Sequence, residues 1–418
     1  MPVTAYLECS RCRGQFSADT PKTVCPSDSG SLYVRYDMKA LKSVACREDI
    51  PVHARSFAAS RGMWRYACVL PNVTPVTLGE GWTPLIRSRR HPALLIKEEG
   101  ANPTGDFEAR GLGMAATMAK HYGFRHIALP SAGNAAGALA AYAAAAGLIA
   151  HLFIPNGVSF PNYLKGMIYG AEVTLVDGGI SDCARILQET IQAQKVAGTP
   201  ENEVWFDIST HIDPFRVEGE KTMGYELVEQ LGWTYPDAVF CPTEGGAGLV
   251  GIWKAFEEME TLGWVSGRRP KIYALEDRDC APARKAFDEH KSSGDRCQNM
   301  STSAAVSLEA QPDSYSTVYD IIEESGGKPI AATDKKILAS VLDWARSEGL
   351  FLSLEGAAAT AAYDKVLRSG ELHPSDKVVL INPQAGYKSA DRIAEAMHLR
   401  TPGTLPTSLP VGGIITPV

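Results

Sequence analysis

Two stretches of this chain could hold ligands through residue type and spacing alone. Cys9 and Cys12 stand as C-x2-C, and Cys25 and Asp28 follow as C-x2-D. Zinc accepts cysteine sulfur and aspartate oxygen in tetrahedral sites, so the four are a candidate ribbon with one oxygen in place of a sulfur. The alternative is a relic ribbon held by packing alone. Further along, Ser131-Ala132-Gly133-Asn134 places small residues ahead of an alanine-rich helical stretch. Successive backbone N–H groups at a helix start form a nest suited to a carboxylate. Two more loops have the same character. One runs from Asn102 through Thr104, Asp106, Glu108 and Arg110 to Gly111; the other is Pro242-Thr243-Glu244-Gly245-Gly246-Ala247-Gly248. One glycine loop before a helix is only a tight turn. Three in order suggest a binding site beyond the carboxyl ends of parallel strands.

The elements that must position these loops are legible as short apolar runs alternating with helical stretches. Strands are expected at Leu94–Lys97, Ile127–Pro130, His151–Pro155, Glu172–Val176, Ala238–Cys241, Ile272–Leu275 and Val378–Ile381. Helices are expected over Leu112–Lys120 and Ala135–Ala146. This alternation predicts an α/β fold with parallel sheets and right-handed crossovers. The first fifty or so residues read as a loop-rich ribbon, Ser293 to Ser316 as a loop, and Thr401 to Val418 as an irregular arm.

At 418 residues the chain has room for two or three domains and a sizeable core. A net charge of −7 argues against a nucleic-acid partner, which calls for a basic face. No apolar run is long enough to span a bilayer and no leader pattern opens the chain, so a cytoplasmic location and no membrane partner are expected. Nine cysteines, six of them scattered, are not a disulfide framework.

The loops also carry a resemblance. Gly79-Glu80-Gly81-Trp82-Thr83-Pro84-Leu85 resembles the GEGxTPL stretch of threonine synthases. Lys97-Glu98-Glu99 and Asn102-Pro103-Thr104-Gly105 are similar to their KxE…NPTGSFKxRG, Ser131 to Asn134 to SxGN, and Phe215 to Thr222 to yrxEGxKT. Tyr169-Gly170-Ala171 and Gly251 to Lys254 fit as well. The resemblance spans about residues 75 to 390 and implies a two-lobed, tryptophan-synthase-β-like fold of the fold-type-II pyridoxal-phosphate (PLP) enzymes, near threonine synthase and cysteate synthase. It implies a large lobe over 51–122 and 214–400, a small mobile lobe over 123–213, a ribbon-like module over 1–50, an arm over 401–418, and a homodimer.

Three positions depart from what the resemblance implies. Glu108 stands where the family lysine forms its Schiff base, and a carboxylate cannot form an imine. Glu244 enters the phosphate loop formed with Gly245, Gly246 and Ala247, where its charge would repel a phosphate. Pro383 stands where a hydroxyl meets the pyridine nitrogen. The expectation drawn from these is a degenerate cofactor site: no PLP, structural zinc aside. The activity expected is a PLP-independent lyase, a decarboxylase or an addition–elimination enzyme. Its substrate would be a small anionic carboxylic acid such as a sulfoacrylate, as in a route to coenzyme M. Glu108 would be the general acid or base. Thr104, Arg110 and the Ser131, Ala132, Gly133 and Asn134 loop would bind substrate, with Arg110 partnering Glu108 or a substrate anion. Asp106 is expected to cap the following helix. Lys97, Lys165 and Lys221 are cations that could reach the pocket. Two other readings stay open: an inactive binding or regulatory subunit, and a PLP enzyme that holds its cofactor non-covalently or through another lysine.

Overall fold

The computed structural model describes residues 5–50, 61–156, 158, 160–243, 245–277 and 312–397. It opens with β1 (Ala5–Cys9), which pairs antiparallel with both β2 (Gln15–Ser17) and β3 (Leu32–Tyr36). This small sheet does not stand apart. Leu7, Leu32, Val34 and Tyr36 share one buried cluster with Met114, Phe215 and Trp253 of the main body. Tyr36 also donates to the Glu218 carboxylate at 2.6 Å across that boundary.

Then follow β4 (Leu85–Arg87), β5 (Leu94–Glu98), β6 (His126–Pro130), β7 (Ile149–Pro155), β8 (Glu172–Val176) and β9 (Phe206–Asp207). After them come β10 (Ala238–Pro242), β11 (Lys271–Asp277), β12 (Lys328–Ala332) and β13 (Val378–Asn382). One sheet has the order β12-β11-β10-β13-β5-β4, parallel except for the edge strand β4. The other has the order β8-β7-β6-β9, all parallel. Parallel strands covered on both faces read as continuous apolar runs, as Val378-Val379-Leu380-Ile381 does. The strands expected from sequence are present. In these two sheets three short ones escaped it: β4, β9 and β12 are polar, brief or at an edge, so neither apolar length nor alternation marks them; β1 to β3 lie where a loop-rich ribbon is expected.

Three helices cross at backbone contact: Glu108–His121, Pro214–Gln230 and Ala247–Leu262. A Cβ on Gly219 would lie 2.1 Å from the Arg110 carbonyl oxygen, and one on Gly251 would lie 2.7 Å from the Lys221 nitrogen. Glycine is required at both places for the helices to approach. Of the polar run expected as a loop, residues 293–311 lie outside the described residues, and 312–316 open the helix Pro312–Ser325. The arm expected over 401–418 also lies outside them. No helix among the described residues is long and apolar enough to cross a membrane.

Candidate functional site

The three loops leave the carboxyl ends of β5, β6 and β10, as expected of a ligand site in parallel sheets. The loop after β5 is zipped to the segment after its neighbour β13. Phe107 N donates to the Pro383 carbonyl at 2.9 Å, and Ala385 N donates to the Gly105 carbonyl at 3.0 Å. Pro383 is therefore a buried carbonyl acceptor for the start of the 108–121 helix. That helix is capped by Phe107 without a side-chain bond. Asp106 is not the cap, contrary to expectation. Its carboxylate accepts from the Lys388 ammonium and from Thr104 Oγ1 at 3.1 Å. The turn Gly386–Ser389 delivers Lys388, and a charged donor holds Asp106 more strongly than a backbone amide would.

After β6, Ser131 Oγ accepts from Gly133 N at 3.1 Å and Ala136 N at 3.2 Å. Ser131 Oγ thus already engages one N–H of the Ser131–Asn134 loop and one from the helix behind it. After β10, Gly245 and Gly246 adopt φ of 61° and 75° just ahead of the 247–262 helix. A Cβ on Gly246 would lie 2.7 Å from a Val318 methyl, so that turn needs glycine. Glu244 lies outside the described residues.

Glu108 begins its helix with 14% of its side chain exposed, and its carboxylate accepts from the Arg216 guanidinium. Arg216 also donates to Thr210 Oγ1 at 2.7 Å, and Thr210 lies beside Gly245, where an added Cβ would lie 3.3 Å from its methyl. Beside them sits Glu220, fully buried, with neither carboxylate oxygen hydrogen-bonded. Burial first, and then the charge of Glu108, push its carboxyl well above the ordinary range. Sequence reading assigned no role to Arg216 or Glu220. Their i,i+4 spacing, which puts both on one face of the 214–230 helix, was the available signal.

Arg110 does not partner Glu108. It is fully buried, donating to both oxygens of Glu99 at 2.8 Å and both of Glu226 at 3.0 Å. Residues two apart point to opposite sides of a helix, so Glu108 and Arg110 cannot both face the cleft. Lys97 is buried against Glu226, and Lys221 against Glu218 and Glu258. Both are sealed in ion pairs. Lys165 lies nearer the loops: its stem packs across Gly137, one turn into the helix behind the Ser131 loop, and its amine sits beside that of Lys388. Burial, reinforced by the Lys388 charge, lowers the Lys165 amine to about 8. In the N-terminal sheet, Cys9, Cys12, Cys25 and Asp28 do come together.

The sequence profile of the pyridoxal-phosphate dependent enzymes matches residues 76–384. This chain belongs to that family. Within it, the threonine synthase of Methanosarcina acetivorans is 30% identical over 90% of each chain. The threonine synthase of Methanocaldococcus jannaschii is 29% identical over 93% of this chain and 94% of its own. A fungal L-serine ammonia-lyase from Rhizomucor miehei superposes with a TM-score of 0.61 at 18% identity, covering 76% of this chain and 97% of that one, a likeness of fold. The PLP-dependent family and its threonine synthases overturn both the PLP-independent lyase and the expectation of no cofactor.

The side chains divide on how such a cofactor fits. The left-handed glycine turn ahead of the 247–262 helix is the kind of backbone cradle a phosphate occupies. At position 108, by contrast, the group in hand is a carboxylate engaged with arginine. The residues fit a cofactor held by its phosphate, and they do not fit a covalent anchor at Glu108.

Proposed function

We propose that this chain is a PLP enzyme of the threonine synthase type, acting on a small anionic amino acid and holding its cofactor without a covalent bond to residue 108. The observation that carries this is the left-handed glycine turn ahead of the 247–262 helix, with Thr210 beside it and bonded through Arg216 to Glu108. When bound, PLP supplies an electron sink for bonds at an amino acid's α carbon. Backbone N–H groups at the start of the 247–262 helix would hold its phosphate. The Ser131–Asn134 loop would hold the substrate carboxylate, and the Lys165–Lys388 pair would attract a second anionic group. Glu108 is the group that moves a proton. Arg216 fixes the direction of its carboxylate. A glutamate there can relay protons, as a lysine can, on a shorter and acceptor-capable side chain.

The test is a PLP titration followed by absorbance and by dialysis, then borohydride reduction and peptide mapping. Saturable, dialysable binding with no reduced adduct is the expected result. An adduct on Lys165 or Lys388 would overturn the non-covalent reading, and absence of saturable binding would overturn the whole of it.

A further inference from the structure

We infer that Cys9, Cys12, Cys25 and Asp28 bind one zinc ion in a tetrahedral three-sulfur, one-oxygen site that locks the N-terminal sheet. The geometry rests on two matching turns. In the first, Cys9 N donates to the Gly14 carbonyl at 2.9 Å and Arg13 N to the Cys9 carbonyl at 3.2 Å. In the second, Cys25 N donates to the Gly30 carbonyl and Ser29 N to the Cys25 carbonyl, both at 2.9 Å. Arg13 and Ser29 hold equivalent places and adopt φ of 59° and 57°. Left-handed backbone at a residue with a side chain is unfavourable, and both turns adopt it at the same step. What the two turns have in common is that each presents two ligands to one point.

The spacing of those ligands suits the ion. With Zn–S near 2.3 Å and Zn–O near 2.0 Å, a regular tetrahedron sets S···S at about 3.8 Å and S···O at about 3.5 Å. Cys12 Sγ lies 3.6 Å from Cys25 Sγ, and Cys9 Sγ lies 3.3 Å from Asp28 Oδ1. All four ligand atoms lie within 4.8 Å of one another. Gly30 is shaped to the cluster, since a Cβ there would lie 3.0 Å from both Asp28 Oδ1 and Cys9 Sγ. Arg11 N points at Cys9 Sγ at 3.4 Å, a backbone donor to a ligand sulfur. Packing alone is a poor account of the cluster, because Cys12 is exposed and a carboxylate stands among the thiols. The site joins the turns before and after β2. It therefore acts on the fold of the N-terminal sheet.

Elemental analysis of the full chain, purified without added metal or chelator, should show about one zinc per chain. Asp28→Cys should keep it and Asp28→Ala should lose most of it. Cys12→Ser should lose it too, while Cys46→Ser, outside the cluster, should leave it unchanged. Replacement by cobalt should produce thiolate charge-transfer absorbance that Cys12→Ser weakens. Should a variant fail to fold, the cobalt spectrum and thiol count of the unmodified protein decide. No metal uptake, or a disulfide between Cys12 and Cys25, would overturn the assignment.

Discussion

Two charged clusters sit on the same helix, two residues apart, and are built on opposite principles. Around Arg110, two cations (Lys97, Arg110) and two carboxylates (Glu99, Glu226) are all fully buried, and both carboxylates lie against cations. The cluster also gathers the backbone of the Gly79–Leu85 loop, because Trp82 N and Thr83 N donate to Glu226 at 2.6 and 2.8 Å. Around Glu108 the balance is uneven. Glu108 pairs with Arg216, whose Nε has no hydrogen-bond partner, Glu220 has neither oxygen hydrogen-bonded, and Lys165 lies beside the Lys388–Asp106 pair. A neutral, mutually paired cluster holds loops together. An unevenly paired one has groups left over to meet a ligand.

The comparison breaks first if Arg110 proves dispensable. Arg110→Met strands Glu99 and leaves Glu226 with Lys97 alone, and removing one partner of a buried pair costs about 3–5 kcal/mol. Urea denaturation should show a loss of that size or no cooperative fold at all. An unchanged midpoint would mean that the cluster is not what holds these loops. Glu108→Gln should do the reverse: turnover with PLP falls by about 10²–10⁴-fold while the protein still melts cooperatively. Full turnover would make Glu108 a structural partner of Arg216 and erase the contrast.

Lysine reactivity sharpens the same division. With its amine lowered to about 8, Lys165 should be acylated near pH 8 ahead of Lys97 and Lys221, which are sealed in ion pairs. Lys388→Met removes the neighbouring charge, so Lys165 should then label more slowly at that pH. Equal labelling of both proteins would show that Lys388 does not govern it. A pH dependence of stability is expected at Asp213, whose carboxyl burial raises to about 7 from 3.8. Between those values the folded chain keeps a proton that the unfolded chain has released. Stability is therefore fully present below about pH 4 and is lost as pH rises through 7, by at most about 1.4 kcal/mol per pH unit for one proton. Asp213→Asn keeps the oxygen that accepts from Phe215 N at 2.7 Å and should flatten that part of the stability profile.

The sequence by itself determined the parallel α/β class, because strands buried on both faces must be written in apolar residues such as Val378 to Ile381. It also determined the places of the three loops and the pairing of Cys9 and Cys12 with Cys25 and Asp28, since glycine turns and ligand spacings are local. Partner choice among charges was beyond it. Arg110 and Lys97 are charged residues that sequence reading sends toward solvent or a ligand, and only the crossing of three helices shows them sealed against Glu99 and Glu226. Arg216 and Glu220 are separated from Glu108 by more than a hundred residues. What brings them together is Gly111, where a Cβ would lie 2.4 Å from Glu220 Oε1, and Gly219 against the Arg110 carbonyl. Which charges face each other depends on how closely the backbones approach, and that is decided by packing between distant segments.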